Sequence, residues 1–73
     1  MSGGAVMDEN FQAGLVAFAV DEDLETAARI FNQINSDSPR YAEAQYFLGH
    51  IAFQNEDFLT AENAYKNALS ADN

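Results

Sequence analysis

The sequence contains no cysteine and a single histidine, His50. Without thiols there is no disulfide framework and no thiolate zinc site, and one imidazole cannot assemble a histidine metal cluster. No metal site and no cofactor are therefore expected. Positive charge is nearly as scarce: Arg29, Arg40 and Lys66 face twelve acidic residues, for a net charge of -9. Nucleic acids and anionic membranes both require clustered cations, so neither is an expected partner. Nucleophile chemistry finds no support: the serines and threonines have one histidine to share, and no glycine-rich elbow or phosphate loop surrounds any of them. Long apolar runs are missing too. The longest, Ala13 to Val20, covers eight residues, against roughly 18 needed to cross a bilayer. No lysine or arginine precedes it, as a secretory signal would require. These features favour a non-enzymatic protein of the cytoplasm.

What remains is a chain of 73 residues, 48% of them hydrophobic, enough to fold as one small domain close to the lower size limit for a single core. The small residues of Met1-Ser2-Gly3-Gly4 read as a disordered tail or cloning remnant, and Met7 would serve as an original start; residues 1–7 are set outside the fold. Asp8 then caps a helix over 9–20, with Phe11, Gly14, Leu15 and Phe18 at helical spacing. Asp23 caps a second from Leu24 to about Asn35, striped by Leu24, Ala27, Ala28, Phe31 and Ile34. After the polar loop Asn35-Ser36-Asp37-Ser38, Ser38 and Pro39 open a third helix to about Asn55. Its stripe is Tyr41, Ala44, Leu48, Ile51 and Ala52. Asp57 caps the fourth, Phe58 to about Ala71. No segment alternates with period two. The acidic run Asp21-Glu22-Asp23 and Glu25 lacks the spacing of a calcium loop and reads as a solvated turn with a helix cap.

The breaks recur at an even interval. Sliding the chain by 34 superposes 8–39 on 42–73 with six identities in 32 positions, where chance gives roughly two. Four of the six form Glu-Asp-x-x-Thr-Ala, at Glu22-Asp23 with Thr26-Ala27 and at Glu56-Asp57 with Thr60-Ala61. Leu24 falls on Phe58 and Phe31 on Tyr65.

A helix–turn–helix unit of this period resembles the tetratricopeptide repeat, with its pattern W-x2-L-G-x2-Y, A-x3-F, P. Leu48-Gly49, Ala61-x3-Tyr65 and Ala68-Leu69 occupy its slots in the second unit. Gln45, Ala52 and Asn73 depart from it. In the first unit Phe11, Phe18, Ala27-x3-Phe31 and Pro39 are in register, while Gly14-Leu15 inverts the Leu-Gly order. The resemblance implies an all-α domain at 8–73, with repeat 1 at about 8–41 and repeat 2 at about 42–73. These would be two stacked antiparallel hairpins in a right-handed superhelical array. A four-helix bundle with the same stripes is the competing architecture.

In the family, the first helices of successive repeats line a concave groove for peptides or helices. Carried over by position, that groove would hold Glu9, Gln12, Val16 and Ala19, then Glu43, Tyr46, Phe47, His50, Phe53 and Gln54. The family's clamp for a chaperone's C-terminal carboxylate relies on lysine, arginine and asparagine. These slots hold Glu9, Gln12, Val16, Glu43, Tyr46 and His50 instead, so that activity is not expected. Tyr46, His50 and Phe53 share one helical face, either as a partner-binding strip or as packing within the hairpin. His50 reads as a groove or packing residue. The expected function is a non-catalytic protein-interaction module for apolar, or basic and apolar, peptides. The alternatives are a structural spacer or excerpt of a longer repeat scaffold, and a regulatory piece of an enzyme subunit. Two repeats leave one end uncovered. Leu59, Tyr65 and Leu69 are therefore expected to support self-association as a homodimer or higher oligomer, strengthened by salt that screens the net charge.

Overall fold

The computed structural model describes residues 3–71. Met1, Ser2, Asp72 and Asn73, and with them the expected slot for Asn73, lie outside the described residues. Four helices follow one another: α1 (Gly3–Leu15), α2 (Leu24–Asn32), α3 (Tyr41–Gln54) and α4 (Phe58–Ala71), with a π-helical turn (Val16–Val20) continuing α1. No strand is present among the described residues. Each helix packs on the next in sequence, and the Cα envelope measures 40 × 31 × 14 Å. The thin dimension matches two helices at their usual 8–10 Å separation, so much of every helix stays near solvent.

The helix starts follow the capping chemistry in two cases. The Thr26 backbone N–H donates to Asp23 Oδ1 at 3.2 Å, and its hydroxyl donates to Oδ2 at 2.7 Å. These two bonds, the hydroxyl first, hold the Asp23 carboxyl below its ordinary value of 3.8. The Thr60 N–H donates to Asp57 Oδ1 at 3.4 Å in the same way. Immediately before each cap stands a non-glycine residue in the left-handed region, Glu22 at φ 53° and Glu56 at φ 63°. The repeated Glu-Asp-x-x-Thr-Ala is thus a reversal that ends one helix and caps the next.

Other boundaries differ from the sequence reading. Helix α1 begins at Gly3, so the tail assigned to 1–7 is helical backbone from residue 3; Ala5, Val6 and Met7 include good helix formers and no breaker separates them from Asp8. Helix α2 ends at Asn32, because the Gln33 and Ile34 N–H groups tighten onto Ile30 and Phe31, and the Asn35 side chain accepts the Asp37 N–H at 3.1 Å. Helix α3 begins at Tyr41 rather than Pro39. Buried Ser38 Oγ accepts the Arg40 N–H, and the Ser38 carbonyl accepts the Tyr41 N–H at 3.1 Å, forming a tight turn before the helix.

The π turn explains the inverted Gly14-Leu15. The Asp21 N–H reaches back five residues to the Val16 carbonyl, whereas the Asn55 N–H reaches back four to Ile51. The caps Asp23 and Asp57 are 34 apart, yet their backbone acceptors Ala17 and Ala52 are 35 apart. One extra residue is absorbed in the turn, so upstream of it Gly14 corresponds to Gly49. A Cβ on Gly14 would lie 2.6 Å from the Phe31 ring, and one on Gly49 would lie 2.7 Å from the Tyr65 ring. Both glycines admit a bulky aromatic from the second helix of their hairpin.

Phe31 is the centre of the core and has no exposed surface. Its ring stacks on Phe47 with centroids 5.2 Å apart and planes at 9°, and meets Phe11 at 5.8 Å. Ala17, Ala27, Ile34, Ala44 and Ile51 complete this cluster. Packing of α4 on α3 rests on smaller side chains, with Ala52, Ala61, Ala64 and Ala68 buried.

Candidate functional site

Chemistry-bearing side chains do not converge: among the described residues no three His, Asp or Glu groups could share a metal ion. Nor is any helix of the described residues long and apolar enough to cross a membrane. The feature that stands out is aromatic and exposed. Tyr46 is 60% exposed and Phe53 56%, seven residues apart on α3. Large apolar side chains are more often withdrawn from water, so two exposed rings on one helix of so small a domain are the candidate site.

The structure divides the expected groove residues in two. Phe47 is half-buried, holding the two hairpins together through Phe31, Phe11 and Phe18 (5.2, 6.2 and 5.3 Å between centroids). His50 is exposed, meets the Phe18 ring at 5.7 Å, and shares a 2.9 Å hydrogen bond with Gln54. Phe47, His50 and Gln54 thus turn toward the first hairpin. Gln12, Val16 and Ala19 are exposed on α1 and the π turn.

Tyr46 and Phe53 turn the other way, toward α4. Tyr46 meets Tyr65 at 5.7 Å and Phe53 meets Phe58 at 5.3 Å. Open clefts adjoin these pairs. One is lined by Glu43, Tyr46, Phe47, Ala68 and Leu69; its neighbour is lined by Phe53, Phe58, Glu62, Tyr65 and Leu69. None of Gln12, Val16 and Ala19 lines either cleft. Phe58 is a residue of this candidate site that sequence reasoning missed, since its helical position suggests only a partner for Leu24. The signal was its i, i+7 spacing with Tyr65, which places both rings on one side of α4.

The surrounding charge is mostly paired. Arg40 bonds both Glu43 carboxylate oxygens, at 3.0 and 3.1 Å, and lies 5.1 Å above the Phe11 ring. Lys66 sits 3.6 Å from Glu62. Asn67 donates to Gln45 Oε1 at 3.1 Å, tying α4 to α3 beside the alanine seam. With this geometry in view, comparison with known proteins finds no matching family model, curated protein or solved structure.

Proposed function

We propose that this chain is a non-catalytic protein-interaction module built from two tetratricopeptide-like repeats, with its binding face on α3 and α4. The observation that carries the reading is the pairing of half-exposed Tyr46 and Phe53 with Tyr65 and Phe58 around two open clefts. Rigid aromatic rings offer large contact area at low entropic cost. Glu43, Glu62 and Lys66 border the clefts, and the net charge of -9 favours approach of cationic rather than acidic segments. The partner class is therefore an apolar, or basic and apolar, peptide or helix. The repeated reversals at Glu22-Asp23 and Glu56-Asp57, and the matched contacts of Gly14 and Gly49, support the two-repeat architecture and its superhelical stacking.

The test is selection from a random peptide library, followed by fluorescence anisotropy of enriched peptides. Replacing Tyr46 and Phe53 together with alanine should weaken binding at least about tenfold, the effect of losing one buried aromatic contact, with helicity unchanged. Enrichment of acidic peptides, or binding indifferent to the double substitution, refutes the reading. The exposure of Leu59 and Leu69, at 70% and 74%, favours one second reading, a spacer within a longer repeat scaffold; there the same double substitution changes stability alone and no peptide is enriched.

A further inference from the structure

Helix α4 carries an exposed stripe that is complementary to itself. Leu59, Glu62, Lys66 and Leu69 are all solvent-facing and spaced three, four and three residues apart. That is the spacing of the seam positions of a two-stranded coiled coil. At about 100° per residue, this stripe lies well over a right angle away from buried Ala61, Ala64 and Ala68, which face α3. Phe58 and Tyr65 flank it on one side. The four residues are also arranged about Ala64: the leucines stand five before and five after it, and Glu62 and Lys66 stand two before and two after.

We infer that the stripe is occupied by α4 of a second copy, running antiparallel about a two-fold axis near Ala64. In that register each seam layer is complementary. Leu59 meets Leu69 of the second copy, Glu62 meets its Lys66, and the same two pairings repeat on the other side of the axis. Charge decides the direction. A parallel pair would set Glu62 on Glu62 and Lys66 on Lys66, stacking like charges in adjacent layers. Head-to-tail docking of the first helix on α4 finds no such match, because exposed Gln12 and Ala13 of α1 and Val16 of the π turn offer no cation for Glu62. Such a contact would also fail to close. Lys66, the one lysine in the chain, thus stands between two exposed leucines, where a two-fold axis gives it a carboxylate from each copy.

The helix spans 14 residues, about 21 Å. A single helix pair of that length buries less than the roughly 1,200–2,000 Å² of a stable interface. The dimer is therefore weak, with a dissociation constant on the order of tens to hundreds of micromolar. Tyr46 and Phe53 lie outside the stripe, but Glu62, Lys66 and Leu69 also line the proposed peptide-binding clefts, so the dimer covers part of that face and is tested without peptide.

The experiment is sedimentation equilibrium of the full chain up to high micromolar concentration at physiological ionic strength. Wild type should approach a dimer and no larger species. Glu62→Lys and Lys66→Glu each place like charges across two layers and should weaken pairing at least roughly tenfold. Both side chains are more than half exposed, so helicity should be retained, as circular dichroism would verify. An equimolar mixture of the two variants restores opposite charges in every layer and should recover a heterodimer. A wild-type monomer throughout, species growing beyond a dimer, variants that pair as well as wild type, or a mixture that stays monomeric would each overturn the proposal.

Discussion

Gly14 and Gly49 occupy corresponding positions, yet adding a methyl group should have different consequences at each. A Cβ on Gly14 would fall 2.6 Å from the Phe31 ring, far inside the 3.4–4 Å of ordinary contact. Phe31 has nowhere to retreat: it is fully buried, stacked on Phe47 and flanked by Phe11. Because the ring cannot give way, overpacking here falls in the upper part of its range, about 2–3 kcal/mol, and exchanging glycine for alanine in a helix returns about 1 kcal/mol. Gly14→Ala should thus destabilise by about 1–2 kcal/mol, which lowers the melting temperature of a domain this size by about 4–16 °C. At Gly49 the overlap with Tyr65 is nearly as severe, 2.7 Å. Tyr65, however, is half-buried and borders the cleft shared with Tyr46, Ala68 and Leu69. Its ring can slide outward, so Gly49→Ala should fall within about 0.5 kcal/mol of wild type, the repacking cost being offset by helix propensity. Thermal unfolding followed by circular dichroism measures both. If Gly14→Ala is neutral, or if Gly49→Ala is the more damaging, the assigned packing and the π-turn register behind it are wrong.

Two further outcomes concern the reversals. Glu22 and Glu56 sit at φ 53° and 63°, a region that costs a non-glycine residue about 1–2 kcal/mol; glycine at either site should stabilise by roughly 0.5–1 kcal/mol after its greater unfolded-state entropy is counted, measured by urea unfolding. Asp23 has a folded pKa depressed below 3.8 by its two bonds from Thr26. The unfolded chain then binds more protons in the window just below 3.8, so this contribution is complete above that value and is lost as pH falls through the folded pKa. Thr26→Ala should lower stability at neutral pH and flatten this part of the acid limb. An unchanged limb would show that the cap contributes nothing.

How much of this was legible beforehand depends on how local each feature is. The caps at Asp23 and Asp57 could be read because the bonding partner, Thr26 or Thr60, lies three residues away and the whole motif occurs twice. Phe31 as core followed from its place in the α2 stripe. The π turn was hidden: sliding the chain by one constant interval cannot show a residue inserted in one copy, so Gly14 paired with Leu48 instead of Gly49. Ser38 was recognised as a turn-forming residue, but whether its turn joins the helix at Pro39 or two residues later depends on the Ser38–Tyr41 backbone bond. The division of the aromatic strip was not legible either. Helical spacing places Tyr46, His50 and Phe53 together; only the neighbouring rings, Phe18 on one side and Tyr65 with Phe58 on the other, separate His50 from the two exposed aromatics.

The most direct test of the proposed binding face is a titration of the isotopically labelled chain with an enriched apolar-basic peptide, followed by nuclear magnetic resonance. Shift changes should concentrate on Tyr46, Phe53, Phe58 and Tyr65 and leave the exposed α2 residues Arg29 and Asn32 unmoved. Changes centred on α2, or on Gln12, Val16 and Ala19 without Tyr46 and Phe53, would contradict the assignment of the α3–α4 face as the interaction surface.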